Sequence, residues 1–471
     1  MTDRLDRLAA KRPRTTAGGE GTGDDRPLSA RQLTALVVAR ATSCAGFFAV
    51  LPYLGLWLVD SRGLSGADAG LVVGAAILAN RAGGVLLVPL IHRLGLKASV
   101  GAGYLGAALA FAVLGAGLRL PAYGWLVVAA LAGLSLAMAT TAMKAQVAAF
   151  PPDQRLRGFS YLNMAVNAGS AVGPVIGGAL LEWHAGWLPL AAAALDLVAL
   201  AAVPALPGTW RGSDPPRQAT DGADDSAEKG RGRWLPQRPF VAFSLLVCGT
   251  WVAYAQVFDV LPAYLGDTIS TRDLGLVFTL NAVLVVALQV PVSALSRRVL
   301  NGPRAGFGLL CTAANVVLAA AVVLFAFGRT GGLGLLLAAM VLFTLSELVW
   351  SPLYDAQVGE RRGNLSTTAA YALAGVAWGA AESAGAWLGT LLAVRPAEPG
   401  ALSLAAAPYW GAAALALLTG LAMSWSGRRT TDRRTTDRRT PADRTSADRT
   451  PDTPPSGHER NTHDVDMPAR P

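Results

Sequence analysis

Residues 32–59 read QLTALVVARATSCAGFFAVLPYLGLWLV, twenty-eight positions from Gln32 to Val59 with one charge, Arg40. As a helix such a stretch is ~42 Å long at 1.5 Å per residue, more than the ~30 Å hydrocarbon core of a bilayer. It is far too long for a barrel strand, and lipid offers nothing to satisfy free backbone groups, so a helix is the reading left open. Eleven further stretches share its character: Ala67–Leu90, Ala98–Leu118, Ala122–Phe150, Gly158–Leu181, Gly186–Leu206, Phe240–Leu265, Leu274–Leu295, Ala305–Gly328, Gly331–Trp350, Leu365–Ala393 and Leu404–Trp425. Numbered 1 to 12 in chain order, they predict an all-α polytopic membrane protein with twelve transmembrane helices.

Composition agrees. Of 471 residues, 52% are hydrophobic and 15% charged, against roughly a quarter charged in soluble proteins. A soluble enzyme, a secreted disulfide scaffold and a disordered chain are all poor readings. The cysteines Cys44, Cys248 and Cys311 lie singly in apolar stretches, and the four histidines are scattered, so no metal site or cofactor is expected. None of the four lysines follows a glycine, which excludes a phosphate-binding G-K-[ST] loop. No nucleophile elbow is present, and no catalytic residue is proposed. The N-terminal residues are polar rather than apolar, so no cleaved signal peptide is expected.

The net charge of +9 is distributed unevenly. The N-terminal tail and the connections 2–3, 4–5, 6–7, 8–9 and 10–11 hold 22 Lys and Arg, the other connections 5, and the C-terminal tail 10 more on the first side. Basic residues mark the cytoplasmic side, so both termini are expected in the cytoplasm. The basic balance is read as topology and lipid attraction, with no nucleic-acid partner.

Span counts and polar stretches divide the chain into a basic tail (1–31), a six-helix half (32–207), a solvated linker (208–238), a second six-helix half (239–426) and a tail (427–471) of T-x-D-R units expected to be disordered. Similar strings recur in corresponding spans. Leu51-Pro52 matches Leu261-Pro262, Gly70-Leu71-Val72 matches Gly275-Leu276-Val277, and Gly178-Ala179-Leu180-Leu181 matches Gly389-Thr390-Leu391-Leu392, at offsets of 210, 205 and 211. The halves therefore read as pseudo-symmetric.

Two motifs sharpen this. The 2–3 loop, Leu90-Ile91-His92-Arg93-Leu94-Gly95-Leu96-Lys97, resembles the G-x-L-x-D-R-x-G-R-[KR] signature of the major facilitator superfamily, with Arg93, Gly95 and Lys97 in register and His92 in place of the acid. In span 5, Gly169, Gly173, Pro174, Gly177 and Gly178 resemble that family's antiporter motif, G-x3-G-P-x2-G-G. Small residues so spaced let helices approach closely, and proline permits a bend, which predicts a pliable seam for rocking between halves. The corresponding stretch of span 11, Gly379 to Gly385, lacks the Gly-Pro pair. The resemblance implies a twelve-span drug/proton antiporter in the cytoplasmic membrane of a prokaryote, with spans 1, 4, 7 and 10 along a central cavity. It also implies gating roles for His92, Arg93, Gly95, Lys97 and the span-5 motif.

Seven ionisable residues lie inside spans: Arg40, Arg81, Lys144, Asp196, Asp259, Glu347 and Glu382. Each costs ~2.5–3.5 kcal/mol at the membrane centre, so they must pair, protonate or line water. A carboxylate beside a partly dry cavity has its charged form disfavoured, and can take a proton on one side and release it on the other. Asp259 and Glu382 are the expected carriers. Glu347 is a third candidate, or a gating ion pair in company with Lys144. Arg40, Asn167, Tyr254, Gln256 and Asn281 are the expected substrate contacts. Arg81 is expected to pair within the first half, and Asp196 to be structural.

These readings predict a monomeric secondary transporter, not an enzyme, whose partners are protons, lipid and a small substrate. The favoured activity is export of small amphipathic, drug-like or metabolite molecules. A proton-coupled importer of an organic acid or nutrient and a non-transporting membrane sensor are the alternatives.

Overall fold

The computed structural model describes residues 29–184, 186–206, 236–301, 306–393 and 400–437. Most of the N-terminal tail and linker, and the tail beyond Asp437, lie outside these residues. No strand occurs among them, and helices follow the spans.

Span 1 is Ala30–Arg62, span 3 Leu96–Gly115, span 4 Ala122–Ala148, span 5 Pro152–His184 and span 6 Trp187–Ala202. In the second half, span 8 is Thr271–Leu300, span 9 Gly306–Ala326, span 10 Gly328–Glu360, span 11 Thr367–Ala393 and span 12 Ala407–Asp437. Span 10 is broken near its start at Gly332, whose φ of +68° is not helical, and two spans are interrupted in mid-course. Span 2 is Gly66–Ala82 followed by Gly84–Leu94, bent by 52°. Span 7 runs Arg238–Ala255, then a π-helical turn Gln256–Val260, then Leu261–Leu265. Among the described residues ten helices, eleven counting the bent pair, are long and apolar enough to cross a membrane. Span 11 is not among them. It has the length, 27 residues, but carries Thr367, Thr368, Glu382 and Ser383 and packs between the halves.

Local chemistry sets the starts. Ser29 and Gln32 form a reciprocal capping box at span 1, and Ser65 and Ser270 accept from the backbone N–H groups of Asp68 and Asp273 at spans 2 and 8. Two ends differ from the sequence reading. Span 10 continues ten residues beyond Trp350, through Pro352. A proline inside a span is tolerated where neighbouring helices and side chains satisfy the freed backbone. Span 12 extends to Asp437, where a disordered tail was expected from residue 427.

Packing repeats between the halves. Span 1 lies against 5 and 6, 2 against 4, and 3 against 4 and 6; span 7 lies against 11 and 12, 8 against 10, and 9 against 10 and 12. The duplication read from short matching strings is thus a duplication of architecture. Spans 5 and 8, with 2 and 11, form the main contacts between halves, helped by 5 with 10 and by 4 with 10 and 11.

The span-5 glycines do not face the other half. A Cβ on Gly169 would meet Ala41 O at 2.6 Å, and one on Gly173 would meet Ala45 O at 2.7 Å and Ala49 N at 2.9 Å; Gly177 faces Ala49 and Tyr53. All belong to span 1. The expected seam between halves is therefore a seam inside the first half. Span 11 repeats it: Gly385 meets Val252 and Ala255, and Gly389 meets Gln256 and Val260, all in span 7.

Candidate transport site

The described hydrogen bonds and ion pairs that join the halves run from mid-span to the basic side of the bundle. Nearest that side, Lys144 Nζ donates to Asp355 Oδ1 at 2.8 Å, and Arg155 lies 3.7 Å from Glu360. Deeper in, the Ser160 and Ser293 hydroxyls are 2.8 Å apart. Asn163 Nδ2 donates to Gln289 Oε1 at 2.9 Å, and Ser351 Oγ donates to Asn163 Oδ1 at 3.0 Å. At mid-span Asn167 Nδ2 donates to Glu347 Oε1 at 3.0 Å, and the Arg81 guanidinium meets both Glu382 oxygens at 2.9 and 3.1 Å.

Glu347 therefore lacks the cationic partner expected of it. One of its oxygens accepts from Asn167 of the first half, the other from Asn281 of the second at 2.9 Å, and the residue is 6% exposed. Lys144 forms an ion pair across the halves, but its partner is Asp355, which the sequence reading left beyond the end of span 10. Arg81 pairs across the halves rather than within its own. Asp259 lies in the π-helical turn and is exposed; its charged neighbours are Glu382 and Arg81. A π-turn inserts one residue and opens the backbone ladder locally, and such turns recur at functional sites. The structure thus gathers Asp259, Glu382 and Arg81 on the cleft between halves.

The expected substrate contacts are mostly engaged elsewhere. Asn167 and Asn281 hold Glu347, and Asn281 also donates to Thr344. Gln256 Nε2 donates to Val252 O and Gly385 O, stapling span 7 to span 11. Arg40 donates to Thr140 at 2.7 Å inside the first half. Tyr254 is buried, and its hydroxyl has no hydrogen-bond partner. Of the loop motif, Lys97 donates to Pro204 O and Leu206 O, both at 2.8 Å, closing the end of span 6 within its own half. Gly95 turns the 2–3 loop at φ +81°, which needs glycine, and Arg93 is exposed. His92 is exposed on the same loop. Asp196, expected to be structural, is fully buried beside Ser43.

An aromatic wall was missed by sequence reasoning. Trp251 of span 7 stacks on Trp378 of span 11, with centroids 4.3 Å apart and planes at 17°. Tyr254, Trp350 and Tyr354 meet Trp251 edge-on at 5.2, 6.4 and 5.0 Å. Arg81 and Lys144 sit 4.7 and 5.4 Å from the Trp378 centroid. The signal available in sequence was two of the twelve tryptophans and two of the nine tyrosines at helical spacing, Trp251/Tyr254 and Trp350/Tyr354, but nothing there joins them to Trp378.

Paired six-helix halves, with charged and amide side chains meeting between them, define a polytopic helical membrane protein built of two repeated bundles. The family model described as Major Facilitator Superfamily matches residues 36–386, and the chain belongs to that family. Its relatives include the "Multidrug resistance protein MdtH" of Klebsiella pneumoniae subsp. pneumoniae, 25% identical over 363 residues, 75% of this chain and 85% of that protein. The MdtH protein of an Enterobacter species is 25% identical over 269 residues, 56% of this chain and 63% of the relative, so the match spans a little under two thirds of that protein's length. The fold also matches the crystal structure of the human organic anion transporter MFSD10, with TM-score 0.59, 18% identity, and coverage of 84% of this chain and 100% of that one. A bacterial homologue of the iron transporter ferroportin gives TM-score 0.58 at 19% identity, covering 84% of this chain and 99% of the other. The chain is a multi-pass membrane protein of the Major Facilitator Superfamily.

Proposed function

We propose that the chain is a proton-coupled exporter of small amphipathic molecules, seated in the cytoplasmic membrane with its basic side and both termini facing the cytoplasm. The observation that carries the reading is the Arg81–Glu382 pair. It joins span 2 to span 11 across the halves, it is only partly buried (side chains 36% and 20% exposed), and Asp259 lies within its field. Opening the basic side pulls Arg81 away from Glu382. A proton arriving on Glu382 removes the charge that holds Arg81, and Asp259 beside the pair is the group through which that proton exchanges, so protonation and the rocking of the halves are one event. With Glu347, Asp355 and Lys144 already partnered, Asp259 is the acid free to exchange. The MdtH relatives, named for multidrug resistance, favour export; the importer reading loses support because Arg40 and Lys144, its anion handles, are engaged with Thr140 and Asp355.

The test is transport in reconstituted vesicles against a compound panel under an imposed pH gradient. One charge per 100 mV stores ~2.3 kcal/mol, roughly fifty-fold accumulation. Asp259→Asn is expected to bring that accumulation to near unity while substrate exchange at zero gradient continues. Glu382→Gln should do the same and also loosen the basic side, because Arg81 loses its partner. Wild-type accumulation in both variants removes the coupling assignment. Accumulation that survives collapse of both the pH gradient and the membrane potential removes the proton-driven reading altogether.

A further inference from the structure

Spans 1 and 7 hold matching places in the two halves and share a Leu-Pro pair, Leu51-Pro52 and Leu261-Pro262, yet only span 7 is interrupted. Span 1 runs as one helix from Ala30 to Arg62 through Pro52, while span 7 opens into the π-turn Gln256–Val260. The proline is therefore not what opens it. The two spans differ in the residues ahead of the proline. Six and three positions before it, span 1 has Gly46 and Ala49, and span 7 has Gln256 and Asp259. At Gly46 the backbones of spans 1 and 6 come close: a Cβ there would meet Ala192 O at 3.2 Å and Ala192 Cα at 3.3 Å. At Gln256 side chains fill that place. Tyr409 of span 12, fully buried, donates its hydroxyl to Gln256 O at 3.2 Å, and its ring lies 4.8 Å from that of Tyr264. Gln256 Nε2 donates back to Val252 O at 3.0 Å and across to Gly385 O at 3.1 Å. Gly389 makes room for the arrangement, because a Cβ there would stand 2.5 Å from both Gln256 Oε1 and Val260 Cγ2.

A π-turn disturbs the regular helical ladder, and a buried carbonyl left without a donor costs about as much as a lost hydrogen bond. Here the donors are side chains from outside the ladder, one hydroxyl and one carboxamide. Without them the segment gains by closing into a regular α-helix, as its counterpart in span 1 does. Closing removes one residue of slack, a rotation of about 100°. Val257 and Val260 are buried, whereas Phe258 and Asp259 are exposed. A rotation of that size turns Asp259 off the face it shares with its charged neighbours, Arg81 of span 2 and Glu382 of span 11. Behind the turn stand Tyr409 and, over the Tyr264 ring, Arg329 at the start of span 10.

We propose that Tyr409 and the Gln256 carboxamide are positioning residues: they hold span 7 in its π-turn and so aim Asp259 at the Arg81–Glu382 pair. The consequence for proton coupling rests on the exporter reading; the hold on the turn does not. Neither residue carries the proton. A chain that loses the hold still alternates and still exchanges substrate, but its acid no longer meets the pair.

The test is the rate at which Asp259→Cys reacts with a charged methanethiosulfonate, in the purified full chain with Cys44, Cys248 and Cys311 changed to alanine. The parent is expected to react readily. Adding Tyr409→Phe should slow the reaction by ~2–10-fold, the worth of one buried hydrogen bond in the balance between the two forms. Adding Gln256→Met as well removes all three bonds and should slow it by ~10-fold or more. Glu382→Cys made in place of Asp259→Cys should react at a rate that these changes leave as it was, since span 11 keeps its course. In vesicles, Tyr409→Phe with Asp259 intact should lower proton-driven accumulation several-fold while exchange at zero gradient continues as in wild type; a merely structural loss lowers both together. Unslowed labelling at 259 overturns the proposal, as does equal slowing at 259 and 382. If the double change fails to fold, Tyr409→Phe decides by itself, and an equal loss of accumulation and exchange overturns the proposal. Slowed labelling at 259 with wild-type accumulation leaves the hold on the turn standing and removes Asp259 from the coupling.

Discussion

A Ser160→Cys/Ser293→Cys pair, made with Cys44, Cys248 and Cys311 changed to alanine, is expected to oxidise readily and bring transport to background, with flux restored by reductant. The native hydroxyls are 2.8 Å apart and buried, one on span 5 and one on span 8. Hydroxyls in hydrogen-bond contact bring the two Cβ atoms near the ~3.5–4.5 Å that a disulfide spans. The bond would cross the halves between mid-span and the basic side, the zone that holds the other described cross-half bonds. Substrate and ions bias such equilibria by their differential affinity, a few kcal/mol, which a covalent link does not yield to. The measurement is flux in vesicles before and after reduction, with cross-linking followed by the change in gel mobility after cleavage between the halves. Full flux in the cross-linked protein would mean that spans 5 and 8 do not separate on that side, and alternation would need another hinge.

Why this contact escaped the sequence while the fold did not is a matter of which forces leave a periodic trace. Each span had to be apolar over ~20 residues to lie in lipid, so all twelve stretches could be read as helices, although that of span 11 is not among the ten or eleven apolar enough to cross a membrane. Ends were harder. Ser351-Pro352 looks like a stop, yet span 10 runs to Glu360, and the cut hid Asp355, the partner of Lys144. The polar site residues were individually visible because a charge in lipid is expensive. Their pairing was not, because pairing depends on how two halves meet, and no residue spacing within one helix records it. Hence Glu347 was given a cation where the fold supplies two amides, and Arg81 was kept inside its own half where it crosses to Glu382. The π-helical turn at Gln256–Val260 leaves no mark in sequence, although it carries Asp259.

Span 5 shows the one case in which the sequence held more than was taken from it, and it supplies the second large expected effect. Gly169, Gly173 and Gly177 repeat every four residues along one face, whereas Ser160, Asn163 and Asn167 repeat at three and four along another. Gly169 is two residues, ~200° of turn, from Asn167, so the two faces point in nearly opposite directions. The glycine face meets span 1 and the amide face meets spans 8 and 10. Substitutions on the two faces should therefore fail differently. Gly173→Val puts a branched side chain where a Cβ already meets Ala45 O at 2.7 Å and Ala49 N at 2.9 Å, backbone atoms that cannot swing aside. Overpacking of this kind costs ~1–3 kcal/mol or more, and Gly173→Val with Gly177→Val should add a second such cost on the same seam. The expected outcome is a marked loss of monodisperse protein after heating, with flux falling in proportion to the folded fraction. Asn163→Val should leave that stability nearly unchanged. It removes two cross-half hydrogen bonds worth ~0.5–1.5 kcal/mol each, and should lower the population closed on the basic side by about ten-fold, read as slower oxidation of the 160–293 cysteine pair. A Gly173→Val protein that is as heat-stable as wild type yet transports nothing would return the glycines to the rocking interface, and with them the seam between halves that the motif first suggested.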